Sequence, residues 1–173
     1  MNKKSMVRSL LLIPTMVTLS ICVGSSGRLM AATDTCINPV FTPVLASLRS
    51  RTSVPLRLPL VMGDASDAAL YARVGGVSRT RYVIRIGQNC ERSYCRYGIV
   101  SGTKIFKQTG RPRGSVVELS GGITGYVTDG SKILKNSIIT WDEGQYRYAI
   151  AIYAAEPAAI IKVANSALSC DKR

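Results

Sequence analysis

Arg81 to Ile86 alternates strictly, with Tyr82, Ile84 and Ile86 on one side and Arg81, Val83 and Arg85 on the other. A period of two marks a strand buried on one face. The pattern returns at Tyr146 to Tyr153, where Tyr146, Tyr148, Ile150 and Ile152 share a side that reads as core. Ser137 to Trp141 precedes it across Asp142-Glu-Gly-Gln145, a four-residue loop containing glycine, and the two runs predict a hairpin. Ala68 to Arg73, Tyr97 to Lys107, Ser115 to Leu119 and Ile123 to Thr128 read as further strands. Gln108 to Gly114 is expected to join the second and third of these as a hairpin tip, and Gly121-Gly122 is expected to be a tight turn.

The apolar period changes at both ends of this strand-rich region. Val40, Val44, Leu45 and Leu48 are spaced for one face of a short helix from about Pro43 to Arg49. Val54-Pro-Leu-Arg-Leu-Pro-Leu-Val61 is extended in character, because each proline lacks an amide donor and turns its predecessor away from helix, and it is expected at a sheet edge. Asp64 to Asp67 reads as a turn. From Glu156-Pro157 onward, Ile160, Ile161, Val163, Ala164, Ala167 and Leu168 form a broad stripe that needs a sheet to cover. The expectation is an α+β domain: an antiparallel sheet of about six or seven strands, a C-terminal helix packed on one face, and disulfide staples.

Residues 1–32 follow a different pattern. Lys3, Lys4 and Arg8 precede an uncharged, largely apolar run from Ser9 to Val23, which has the layout of a signal peptide and is short for a membrane span. Cleavage is expected after Ala31 or Ala32, leaving residues 33–173 as one exported domain, periplasmic or secreted. Leu19-Ser20-Ile21-Cys22 resembles a bacterial lipobox, but Ile21 stands where a small residue is required, so lipid attachment at Cys22 is the minority reading.

The chain carries 23 basic and 10 acidic residues and a net charge of +13. The leader accounts for four of the basic residues and for no acid, which leaves +9 on the domain. Such a field favours anionic partners, here an envelope lipid, a polysaccharide or an acidic protein; nucleic acid is not expected outside the cytosol. Four cysteines follow the leader. In an oxidising compartment an even count favours disulfides, and the expected pairs are Cys90 with Cys95 and Cys36 with Cys170. Zinc is disfavoured by the loose C-x4-C spacing and the absence of histidine, and no metal or other cofactor is expected.

Having no histidine also removes the commonest general base and every Ser-His or Cys-His nucleophile, so an enzyme is the less favoured reading. A carboxylate-dependent glycan enzyme would draw on Asp64, Asp67, Glu91 and Glu118; the pair Asp142 and Glu143 sits in an expected turn, where acids usually meet water. Ser131-Lys132 are adjacent and diverge. The basic residues give a better lead. Lys104, Lys107, Arg111 and Arg113 gather with Phe106 around the expected hairpin tip, while Arg79, Arg81 and Arg85 lie on or beside a neighbouring strand. If these faces converge they form an anion-binding surface; a solvated charged edge that blocks aggregation explains the same residues. Tyr94 and Tyr97 flank Cys95 and either cover the disulfide or form a sugar-stacking or protein-contact platform beside it. Trp141 is expected to pack.

Gly121-Gly122-Ile-Thr-Gly-Tyr126 and Ile138-Ile-Thr-Trp-Asp-Glu-Gly-Gln-Tyr-Arg-Tyr148 resemble a group of uncharacterised exported bacterial proteins, as do Val54-Pro-Leu-Arg-Leu-Pro59 and Cys90 to Cys95. The closing hairpin and the helix with Ile-Lys-Val-Ala-Asn-Ser are similar to sheet-and-helix domains of extracytoplasmic bacterial proteins linked to sigma-factor regulation. The resemblance implies a bacterial exported α+β domain and transfers no catalytic residue.

Overall fold

A computed structural model describes residues 36–63, 70–88, 96–131 and 135–169. A 3-10 turn at Pro39–Phe41 leads into α1 (Thr42–Arg51). Seven strands follow: β1 (Leu70–Ser78), β2 (Arg81–Gln88), β3 (Arg96–Lys104), β4 (Ser115–Leu119), β5 (Ile123–Thr128), β6 (Asn136–Glu143) and β7 (Tyr146–Tyr153). The last element is α2 (Pro157–Leu168). The strands form one sheet in the order β1-β2-β3-β7-β6-β5-β4, and all neighbours are antiparallel. The α+β expectation therefore holds, with the helix on one face. Among the described residues no helix is long and apolar enough to cross a membrane.

One expected pairing is corrected. Residues 108–114 do not close a β3–β4 hairpin, because β3 pairs with β7 and β4 lies at the far edge beside β5. The physical reason is side-chain matching across the seam. Val100 stands opposite Ile150 with both fully buried, and Gly102 stands opposite Tyr148, whereas Val116 of β4 is 69% exposed and suits an edge. The connection from Ile105 to Gly114 instead spans the sheet from its middle to its edge. A Thr109 amide bond to the Phe106 carbonyl (2.8 Å) tightens its first turn.

Arg147 pins that connection. Its guanidinium grips Asp142 through Nε at 2.7 Å and a second nitrogen at 2.9 Å, and its remaining nitrogen donates to the Gly110 carbonyl. The Asp142 hydrogen bonds hold the guanidinium still more firmly in its charged form. Both side chains are partly solvated, so Arg147→Ala is expected to cost only about 1 kcal/mol. It should nevertheless free the strap, and limited proteolysis should then cut within residues 105–114 faster than in the parent; equal cutting rates would show that the strap is held elsewhere.

The second correction concerns Val54 to Val61, which lies across the sheet's helix-bearing face and not at its edge. Val54, Leu58 and Met62 are buried. The Arg57 amide donates to the Tyr82 hydroxyl of β2 at 3.0 Å, while the Arg57 guanidinium reaches Glu143 of β6. Prolines 55 and 59 keep this crossing extended without requiring ladder partners. The pairing of Arg57 with Glu143 is bidentate, at 3.1 Å from Nε and 2.9 Å from a terminal nitrogen. Glu143 also accepts from the Trp141 indole at 2.8 Å. Burial pushes the Tyr82 phenol well above its ordinary pKa, so it stays protonated as a donor and acceptor to Arg57.

The helices complete the core on this face. Ile160, Val163, Ala164, Ala167 and Leu168 of α2 are buried over β6, β7 and β4, and Val44 and Leu48 of α1 are buried near β1. Trp141 is fully buried and stacked on Tyr148, with centroids 5.6 Å apart and planes 28° from parallel. Ser137, also fully buried, accepts from the Gly130 amide and donates to the Ala155 carbonyl, which fixes the approach to α2. The β6–β7 turn is two residues, Gly144-Gln145, rather than the expected four-residue loop, and Gly144 takes the positive φ of 56° that such a turn demands.

Candidate functional site

No described helix covers the opposite face of the sheet. Register places Arg73 directly opposite Arg85, and Ser78 opposite Arg81. Directly opposed residues share a face. Arg73, Arg81 and Arg85 are all exposed and lie on the open side, and Arg79 occupies the β1–β2 turn at the end of the same pair of strands. None of the four forms an ion pair among the described residues.

A bulge shapes this cluster. The β1–β2 register shifts between Val74 and Gly76, leaving Gly75 as the extra residue. A methyl group at Gly75 would lie 3.0 Å from Cγ and 3.2 Å from Nε of Arg85, and one at Gly76 would lie 3.6 Å from a guanidinium nitrogen of Arg81. The two β2 arginines thus fold back over bare β1 backbone. A side chain at residue 75 would press on the Arg85 stem and on Val83, which lies 3.3 Å away, and would shift them by a few tenths of an ångström. Arg73 is steadied from below, its guanidinium carbon 4.9 Å from the Tyr71 ring centre.

The remaining basic candidates are placed separately. Lys107, Arg111 and Arg113 are exposed on the strap that Arg147 holds through Gly110, and Arg147 shares its sheet face with Arg81 through the register Arg81, Thr103, Arg147. Lys104 is half-buried at the end of β3, its amide bonded to the Thr80 carbonyl. Phe106 is 50% exposed on the strap. Arg73 is the residue that sequence reading missed, and its signal was the alternation that continues from β2 through the register.

The acids among the described residues do not assemble. Asp142 and Glu143, adjacent on β6, point to opposite faces, one held by Arg147 and the other by Arg57. Glu118 is exposed on edge strand β4, and Asp64, Asp67 and Glu91 lie outside the described residues, as do Tyr94, Lys132 and three of the four domain cysteines. Ser131 donates to Asp129 at 2.7 Å. A groove of about 310 Å³ between the end of β7 and the start of α2 is lined by Tyr97, Tyr153, Ala154 and Glu156 among others. Among the described residues that line it, Glu156 is the one carboxylate. No family model, no curated protein and no solved structure matches the chain.

Proposed function

We propose that this chain is an exported, non-enzymatic binding domain that engages an anionic envelope component or an acidic protein through the open face of its sheet. The observation that carries the reading is the cross-strand pair Arg73 and Arg85 with Arg81 beside it, none of them neutralised by an acid among the described residues. Like charges directly opposed across a sheet destabilise it unless a counter-charge arrives. The leader-like residues 1–32 and the resemblance to exported bacterial proteins supply the compartment.

Two disulfides belong to the same reading. The Asn38 side chain donates to the Leu60 carbonyl at 3.0 Å, while the Leu60 amide donates to Ser166 near the end of α2 at 3.2 Å. Asn38 and Ser166 therefore meet at Leu60, and the proposed pairs are Cys36 with Cys170 and Cys90 with Cys95.

Co-sedimentation of the protein with whole bacterial envelopes across a salt series tests the proposal. Retention should fall with salt, and the combined charge reversal Arg73→Glu, Arg81→Glu and Arg85→Glu should lower it at least about tenfold, a plausible loss for several charge-assisted contacts. Reversal of Lys107, Arg111 and Arg113 should have the smaller effect. Retention unchanged by the first set would remove the open face from the function.

A further inference from the structure

Resting on that reading, we infer that Arg85 and Arg81, which lie over the Gly75–Gly76 bulge, form a phosphate site flanked by Arg73 directly opposite Arg85. The Arg85 stem and Nε lie against residue 75 and an Arg81 guanidinium nitrogen lies near residue 76, so two forks reach adjacent β1 backbone, while Arg73 faces Arg85 in register. Each fork presents paired donors matched to two oxygens of a tetrahedral anion, and together they favour a ligand carrying more than one negative charge. A carboxylate presents one planar edge and satisfies one fork. Phosphate presents several edges and reaches more than one.

The bulge supplies the second element. Consecutive glycines leave the β1 side of the patch without Cβ atoms, and the exposed side chains of Arg85 and Arg81 lie close to the backbone there. This placement depends on shape as well as on charge. A diffuse basic surface would tolerate any cation at these positions, whereas a phosphate site requires arginine at residue 85 and glycine at residue 75.

The surroundings bear on the source of the phosphate. From Arg85 the open face continues in register through Ile99, Ala151 and Ile138. Ile138 is 38% exposed. An apolar strip beside a phosphate site suits a lipid headgroup whose neighbouring chains or glycerol meet that strip, while a soluble phosphate would leave it unused.

Titration with pyrophosphate, followed by arginine Nε resonances and calorimetry, tests the site, with citrate at matched ionic strength as the carboxylate comparison. Pyrophosphate should shift the signals of Arg73, Arg81 and Arg85 at concentrations where citrate does not. Arg85→Lys keeps the charge and loses the fork, and it should weaken pyrophosphate binding about tenfold, the scale of one lost charge-assisted hydrogen bond. Gly75→Ala should weaken it comparably at unchanged net charge, with retained amide dispersion confirming the fold. Equal responses to citrate and pyrophosphate, or indifference to Arg85→Lys, would overturn the site. Envelope retention that still depended on the arginines would then leave the broader binding role standing. Vesicles of phosphatidylcholine with and without phosphatidylglycerol separate the sources. Selective retention on the anionic vesicles, abolished by Ile138→Asp while pyrophosphate binding persists, identifies a lipid headgroup; pyrophosphate binding without vesicle retention identifies a soluble phosphate.

Discussion

Glu143→Ala is expected to lower the unfolding free energy by about 3 kcal/mol, the range for stripping one partner from a largely buried ion pair. The carboxylate receives a bidentate Arg57 guanidinium and the Trp141 indole together. Alanine would leave a fully buried indole donor without this acceptor and would strip a bidentate carboxylate from a cation only 15% exposed. Solvent reaches the pair enough to soften the penalty, which is why the upper end of the range is not expected. Glu143→Gln keeps an oxygen for Trp141 and loses mainly the charge, so it should cost about 1 kcal/mol. Urea denaturation at neutral pH measures both. A loss below about 0.5 kcal/mol for the alanine variant would mean that Arg57 finds water at no cost and that the crossing segment is held by its apolar residues alone.

Gly102→Ala should be the second severe change, and here the sign is diagnostic. Alanine in a strand interior normally stabilises relative to glycine by about 0.5 to 1 kcal/mol. At residue 102 a methyl group would fall 2.5 Å and 2.8 Å from ring carbons of Tyr82 and 3.0 Å from one of Tyr148. Neither ring is free to retreat, since Tyr82 is tied to the Arg57 amide and Tyr148 is stacked on Trp141. Overpacking should win and destabilise by about 3 kcal/mol. A double-mutant cycle isolates the cause: in a Tyr82→Leu background the cost of the extra methyl should shrink markedly. Stabilisation by Gly102→Ala in the parent would show that the rings shift freely.

Local periodicity carried the elements, and partner choice is where it stopped. The alternations in β2 and β7 and the stripe of α2 are read within a few residues, because burial imposes the period directly on the chain. The partner of β3 is set by matches such as Val100 with Ile150, fifty residues apart, and a short run of apolar residues does not name its neighbour. Val54 to Val61 looked like an edge for the same reason: its prolines exclude a central strand, but its partner Glu143 is 86 residues away. Within the candidate site, Arg81 and Arg85 followed from alternation. Arg73 did not, because Gly75-Gly76 reads as the end of a strand and is in fact a bulge through which β1 continues to Ser78.

The strand order also dictates a sequence of events in time. β1, β2 and β3 form one meander and β4 to β7 form another, and the two meet only where β3 pairs with β7. Ser101 and its acceptor, the Ala149 carbonyl, are 48 residues apart. A chain made from its amino terminus therefore finishes the first meander while the strand that must cover it has not yet been synthesised. Loop-closure entropy makes this non-local join the slow step. Until it happens, β3 offers a bare ladder to any other strand, including that of a second nascent copy.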